Sequence, residues 1–437
     1  METGKALKGG VHLSFDGVNA VTNIVEEMYR NIAATPLPLG RAPSGPAPGI
    51  AGLVHGSVRQ VTKIAQGCAS WVLDRTAPEL DRVWPPGPHR EAVVAALNGV
   101  CGDHLADTDN PLAIDMRLRV LLPAAATPGP IDRVDAPTAN AARSSAGAFS
   151  NLFDTEREPV EVFPQPDAFE RATFKPGRHL LIVLHGLSMN DREWTSKQHN
   201  HAEALAAKHG YTPVYTLYNS GRHVSVNGRM LCEQLSALLA AWPEPVESIT
   251  FLGFSMGGLL ARSTLQLAQE TEQPWLAKVT RAVYVGTPHQ GAVLERGGYW
   301  LQRLISLSPY TAPLAALGRV RSAGITDLRH GNVRDDDWQH HDEHEDNADY
   351  RVPTPLPGGI EHFAIAATLS QGPGKVAGRL MGDGLVHPSS ATGRHKDEAL
   401  ALDFAESNTR IFYNLGHLAM LHDERVMNQL DGWLGDK

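Results

Sequence analysis

The stretch ITFLGFSMGGLLARSTLQL, residues 249–267, decides how this chain is read. Ile249 to Leu252 is a short apolar run of the kind that forms a buried strand, and Gly258 to Leu267 reads as a helix. Between them stands Gly253-Phe254-Ser255-Met256-Gly257, a G-x-S-x-G sequence. On a tight strand-to-helix turn, such a serine projects its hydroxyl above the end of a sheet. A free serine hydroxyl is a poor nucleophile at neutral pH. It needs an imidazole to take its proton, a carboxylate to orient the imidazole, and donors for the oxyanion that attack creates.

Working outward, apolar runs alternate with helical stretches. Leu180 to Leu184 reads as a strand, followed by a helix over about Lys197 to His209. Val214 to Tyr218 is the next strand, with a helix over Asn227 to Ala241. Ala282 to Val285, Phe363 to Thr368 and Ile411 to Tyr413 supply further strands, and Met116 to Leu122 is a further candidate. This alternation predicts an α/β fold: a mostly parallel sheet covered by helices on both faces, with its chemistry at the carboxyl ends of the strands. Before it, Val18 to Ile32, Ile50 to Leu73 and Arg90 to about Leu105 have helical spacing, separated by a Pro- and Gly-rich breaker that ends at Gly49. The expected organisation is a mostly helical extension over 1–122, a linker and approach to the sheet over 123–170, and a catalytic domain over 171–437. A cap or lid insertion interrupts that domain at about 292–361, apolar from Tyr299 to Leu317 and very polar from Asp335 to Tyr350.

In a fold of this kind the partners of the serine follow in the order acid, then histidine. His417, in YNLGHLAML, follows the last strand and can reach back over the sheet; His422, His289 and His387 compete for the role. Asp383, in MGDGLVHPSSA, follows the strand ending at Thr368, and competes with Asp327 and with Asp403, which sits in a helix-like run and is expected to face solvent. The oxyanion donors expected are the backbone N–H of Met256, at the start of a helix, and that of Leu187, in His185-Gly186-Leu187 after the strand 180–184. His185 sits too early in the chain for the base and is expected to brace that loop, where Gly186 allows close backbone approach.

The pieces LIVLHGL (181–187), YNSGRHVSVNGRML (218–231), GFSMGG (253–258), VGTPHQGA (285–292), GDGLVHPSSA (382–391) and LGHLAML (415–421) together resemble the α/β-hydrolase lipases and esterases. In particular they resemble bacterial serine esterases related to triacylglycerol lipases and to PGAP-type hydrolases. The resemblance spans roughly 175 to 437, and 89–120 looks like a preface of the same branch. It implies an ester-hydrolysing triad on Ser255, Asp383 and His417, oxyanion donors at Leu187 and Met256, and a pocket or scaffold role for His289. Two-step acyl transfer on short- to medium-chain acyl esters is the function expected. The alternatives are a long-chain triacylglycerol lipase, an intracellular polyester depolymerase, and a non-catalytic binding protein on a hydrolase fold.

Composition bounds the rest. With 437 residues, 42% of them apolar and a formal charge of -9, the chain has no nucleic-acid footprint. Cys68, Cys101 and Cys232 are too widely spaced for a zinc motif or disulfide framework. The N-terminus has no uninterrupted apolar core of a signal peptide, and no 18-residue apolar run exists, so a cytoplasmic setting without a membrane span is expected. The expected partner is a small-molecule or lipid ester, with the striped N-terminal helices or the cap as a surface for lipid or polymer; the oligomeric state is left open. No cofactor is expected. His340, His341, Asp342, His344 and Asp346 crowd one acidic stretch that reads as a solvated loop, a structural zinc or calcium ion being the other reading.

Overall fold

The computed structural model describes residues 8–10, 12, 87–123, 157–171, 173–195, 199–292, 322–339, 349–372 and 382–435. The predicted helices over 18–32 and 50–73, most of the linker, the apolar cap at 299–317, Cys68 and the His/Asp cluster at 340–346 lie outside these residues. The chain divides into two compact units. One comprises residues 1–91 and 104–113, where the Asn110 side chain donates to the Gly9 carbonyl at 3.1 Å. The other, residues 92–103 and 114–437, holds the sheet and the candidate site.

Among the described residues the sheet has eight strands: β1 (Arg117–Pro123), β2 (Arg157–Phe163), β3 (His179–Leu184), β4 (Thr212–Leu217), β5 (Ser248–Phe254), β6 (Val279–Val285), β7 (Glu361–Thr368) and β8 (Thr409–Tyr413). Their order is β2-β1-β4-β3-β5-β6-β7-β8. From β4 to β8 every pairing is parallel, whereas β1 pairs antiparallel with both β2 and β4. Among the described residues the longer helices are α1 (Pro88–Asp107), α2 (His201–His209), α3 (Val224–Ala241), α4 (Met256–Glu270), α5 (Ala323–His330) and α6 (Glu424–Leu434), and a single turn of helix covers Pro388–Ala391.

The continuous apolar runs of β3 and β5 reflect burial on both faces. Successive side chains of a strand point to opposite sides, so one run feeds two cores. Leu180, Ile182, Leu184 and Phe251 pack with Leu231 and Leu235 of α3 and Leu259 and Leu260 of α4. Leu181, Val183, Leu252 and Phe254 pack with Ala202 and Leu205 of α2 and with Val426, Leu430 and Leu434 of α6. Each fully buried leucine stabilises by about 1.5–3 kcal/mol relative to exposure. The chain reverses its direction of travel across the sheet at β3, with β4 on one side and β5 on the other. In open sheets of this kind chemistry is placed at such a switch point, beyond the carboxyl ends of the strands, which here are β3 and β5.

The approach to the sheet expected within 123–170 includes β2, whose pattern shows on one face only: Val160 and Val162 are buried while Arg157 is exposed. Other local readings need correction. The polar stretch from Asp335 is not all solvated loop, because Asp337 is buried and its carboxylate accepts from Val333, Arg334 and Val352 N–H groups at 2.8–2.9 Å. Asp403 is exposed, but a 3₁₀ turn over Glu398–Leu400 and extended chain replace the helix expected around it. The sequence reading also places no helix over α6, although Val426, Leu430 and Leu434 recur at i, i+4 and i+8 on its buried face.

Candidate active site

Ser255 is the single residue between the end of β5 and the start of α4. Its backbone is left-handed, with φ 54° and ψ -121°, a conformation that costs a non-glycine residue on the order of 1–3 kcal/mol. The neighbours hold it there. Ser255 N–H donates to the Val285 carbonyl at 2.8 Å, and Ser255 C=O accepts from Gly258 N–H at 3.0 Å. A Cβ built on Gly257 would lie 2.2 Å from the carbonyl oxygen of Leu184, so only glycine lets α4 start this close to the end of β3. The first N–H groups of α4 have no partner within the helix, and their partial positive charge gathers at its N-terminus, next to Ser255.

Asp383 and His417 meet although they are 34 positions apart in the chain. Asp383 Oδ2 lies 2.7 Å from His417 Nδ1, while Asp383 Oδ1 accepts from Leu385 N–H at 2.9 Å and Val386 N–H at 2.8 Å. His417 N–H also donates to the Asp383 carbonyl at 3.1 Å. A carboxylate accepts only, so His417 carries its proton on Nδ1 and presents Nε2 as the basic nitrogen. Nε2 is buried and has no hydrogen-bond partner among the described residues. The imidazole packs against Phe254, the residue before Ser255, with ring centroids 4.9 Å apart. Ser255, Asp383 and His417 are each no more than 5% exposed.

The loop after β3 approaches the elbow from the neighbouring strand. A Cβ built on Gly186 would lie 3.3 Å from Cβ of Ser255, which places Gly186 against the elbow. His185 is fully buried and stacks on Tyr218 at 4.2 Å. Its Nδ1 lies 2.8 Å from the Gly186 carbonyl, and its Nε2 accepts from Tyr218 N–H at 3.4 Å. Both contacts demand the neutral ring protonated on Nδ1, and burial, the largest cause, pulls the His185 pKa down to about 4. Tyr218 O–H donates to the His185 carbonyl at 2.7 Å, and Ser188 N–H donates to Ser220 Oγ at 3.0 Å. Tyr218 and Ser220 carry no sequence signal of their own beyond the YNSG segment.

The competing residues stand elsewhere. Asp327 is buried, accepts from Val224 N–H at 2.6 Å and lies 3.1 Å from His223 Nδ1, pinning the start of α3 to α5. His387 Nδ1 lies 2.7 Å from Ser389 Oγ. His289 is buried between Tyr284 and Phe404, at ring distances of 4.9 and 5.3 Å, and burial holds its pKa well below the usual histidine value. Ser248, at the opposite end of β5, lies 2.8 Å from His179 Nδ1. A polar cleft of about 260 Å³ is lined by Ser225, Arg229, Glu270, Arg334 and Asp335 and by none of the triad residues. Its Arg229 pairs with Asp335 and its Arg334 with Glu270. Cys101 and Cys232 are buried free thiols. Among the described residues no group of three or more His, Cys, Asp or Glu side chains could hold a metal ion, and no helix is long and apolar enough to cross a membrane.

A mostly parallel sheet with helices on both faces, a serine elbow after a central strand and a buried Asp–His pair define an α/β-hydrolase fold with the geometry of a serine hydrolase. Residues 180–354 match the family model described as the PGAP1-like alpha/beta domain. No curated protein matches the chain. Similar solved structures include lipase B of Aspergillus fumigatus, with 14% identity, a TM-score of 0.34 and coverage of 59% of this chain and 53% of that one. The Pyrococcus furiosus esterase PF2001 shares 15% identity at a TM-score of 0.35, covering 59% and 82%. A hyperthermophilic esterase of Pyrobaculum calidifontis shares 11% at 0.35, covering 64% and 77%. The chain thus spans about half the length of the Aspergillus lipase.

Proposed function

We propose that this chain is a carboxylic ester hydrolase of the PGAP-type esterase branch, with Ser255 as nucleophile, His417 as general base and Asp383 as its orienting carboxylate. The observation that carries the reading is the 2.7 Å contact between His417 Nδ1 and Asp383 Oδ2, which leaves Nε2 as the proton acceptor on a ring packed against the elbow. Ser255 Oγ attacks the ester carbonyl and passes its proton to His417 Nε2. The carbonyl carbon becomes tetrahedral, and the Leu187 and Met256 N–H groups receive the oxyanion. His417 then protonates the departing alkoxide as the acyl-enzyme forms. Water, deprotonated by the same nitrogen, attacks the acyl carbonyl. Collapse of the second tetrahedral intermediate returns the proton to Ser255 and releases the acid. Asp383 stays ionised throughout.

The substrate proposed is a short- to medium-chain acyl ester. Apolar Leu369 supports an apolar acyl group: it is 40% exposed, and its Cδ1 would lie 3.8 Å from a Cβ on Gly384, next to Asp383. A fluorophosphonate probe followed by peptide mapping tests the nucleophile, and a series of p-nitrophenyl esters tests the acyl length. Labelling at Ser255, lost in Ser255→Ala, is expected; labelling at any other residue, or full turnover in that variant, would sink the assignment.

A further inference from the structure

His417 is the residue from which a short 3₁₀ turn, Leu418–Leu421, departs. What holds that turn is a histidine from a distant part of the chain. His201, the first residue of α2, is 1% exposed, and its Nε2 lies 2.9 Å from the Met420 carbonyl. Met420 N–H in turn donates to the His417 carbonyl at 3.3 Å. A carbonyl only accepts, so His201 must carry its proton on Nε2. Its Nδ1 is then a lone pair, which accepts from His199 Nε2 at 2.8 Å. The two contacts fix the tautomers of both rings. The support is itself anchored at both ends. At its start Asn200 caps α2, accepting from Ala202 and Glu203 N–H groups at 2.9 and 3.3 Å. Near its end His209 Nε2 lies 2.7 Å from Asp431 Oδ1, and beyond it Tyr211 O–H donates to the Leu434 carbonyl at 3.1 Å. Both partners belong to α6, the helix that follows the turn.

We propose that His201 is a positioning residue for His417: its Nε2–H holds the Met420 carbonyl and so fixes the turn that aims the catalytic imidazole at Ser255. This rests on the assignment of His417 as the base. The ring touches no reacting atom. It acts through one peptide carbonyl, and its other nitrogen is held in register by His199. The charged and titratable groups facing it are His199 on its own segment and His422 and Asp423 beyond the turn. Burial, the largest cause, pulls the His201 pKa down to about 4, with His199 and His422 adding to the shift and the Met420 carbonyl and Asp423 opposing it. The ring is therefore neutral, and the brace intact, at neutral pH. A second proton would have to sit on Nδ1, against the His199 ring.

Two substitutions of matched polarity separate the two contacts. The side-chain nitrogen of His201→Gln can occupy the place of Nε2 and keep the Met420 bond; the side chain of His201→Asn reaches only the place of Nδ1 and loses it. With p-nitrophenyl butyrate and the full-length protein, kcat of His201→Asn is expected to fall at least about ten-fold with KM nearly unchanged, while His201→Gln stays within about three-fold of the unaltered protein. Amide hydrogen exchange over residues 417–422 is expected to quicken in the Asn variant alone. Equal losses in both variants, or no loss in either, would overturn the brace. If the unaltered protein neither turns over ester nor labels at Ser255, the triad assignment fails, and the exchange contrast alone decides whether His201 holds the turn. If neither variant folds, nitrogen-15 spectra of the unaltered protein decide: a His201 ring protonated on Nε2 is expected, and one protonated on Nδ1 would overturn the proposal.

Discussion

The carboxylate of Asp383 faces three donors at once: His417 Nδ1 at 2.7 Å and the backbone N–H groups of Leu385 and Val386 at 2.9 and 2.8 Å. The hydrogen bonds from the two peptide N–H groups orient the carboxylate independently of the histidine. One oxygen is occupied by the loop, and the other is left for the imidazole.

Replacing Asp383 by Asn keeps the shape and removes the constraint on tautomer. An amide can donate to Nδ1 and so stabilise the ring protonated on Nε2, where it cannot take the serine proton. Turnover of a p-nitrophenyl ester is expected to drop by roughly 10³-fold or more, with KM little changed. Steady-state kinetics on a variant with an unaltered circular dichroism spectrum checks this. Near-normal kcat would remove Asp383 from the proposed triad.

Tyr218→Phe deletes the hydroxyl that serves the His185 carbonyl at 2.7 Å and leaves that buried acceptor without this donor. A loss of about 1–3 kcal/mol in unfolding free energy is expected from urea titration. Because His185 braces the loop that carries Leu187, kcat should fall as well. A variant of unchanged stability and rate would mean that the loop is held by its other contacts alone.

Gly257→Ala tests the close approach of α4 to β3. Its Cβ would meet the Leu184 carbonyl at 2.2 Å, with the His185 carbonyl at 2.7 Å, and neither backbone atom can move away without shifting a central strand. The expected cost is about 3 kcal/mol or more, read as a fall in Tm. An alanine variant as stable as the parent would contradict this packing.

Acid should weaken the fold through buried histidines. His185 and His201 each have a pKa lowered to about 4 in the folded chain, against 6.5 as the ordinary value. The unfolded chain therefore binds more protons between pH 6.5 and 4. Their contribution is fully present above pH 6.5 and is lost progressively as pH falls toward 4, on the order of 3 kcal/mol for each ring. Glu193 has the opposite sense: burial raises its pKa to about 8, so its contribution is present below about pH 4.5 and declines as pH rises toward 8. Urea midpoints measured at intervals from pH 4 to 8 report the balance. A midpoint that does not fall between pH 6.5 and 4 would contradict neutral burial of the two histidines.

Much of this arrangement could be read from residues alone, and for local reasons. The runs at β3 and β5 are apolar on both faces because helices cover both sides, so each stands out as an uninterrupted block. The serine elbow is legible because strand, turn glycines and helix are contiguous between Ile249 and Leu267. The chain order of Asp383 and His417 follows from the order of the strands that precede them. β2 escaped because an edge strand buries one face only, and its Val160 and Val162 alternate with Pro159 and Glu161.

Only the tertiary structure decided which carboxylate meets which imidazole. Asp327 and Asp383 are both aspartates that accept backbone N–H groups and approach a histidine. One ties two helices together, and the other faces the ring packed beside the elbow. Nothing in their local sequence states that difference, because it depends on loops brought together by β7 and β8. The same holds for Tyr218 under His185 and for His201 under Met420, 219 positions apart in the chain. Hydrogen bonds act over about 3 Å, and contacts between residues so distant in sequence exist only once the sheet has set its strand order. The G-x-S-x-G turn announces a candidate nucleophile locally, whereas the Asp383–His417 pair is assembled by the fold.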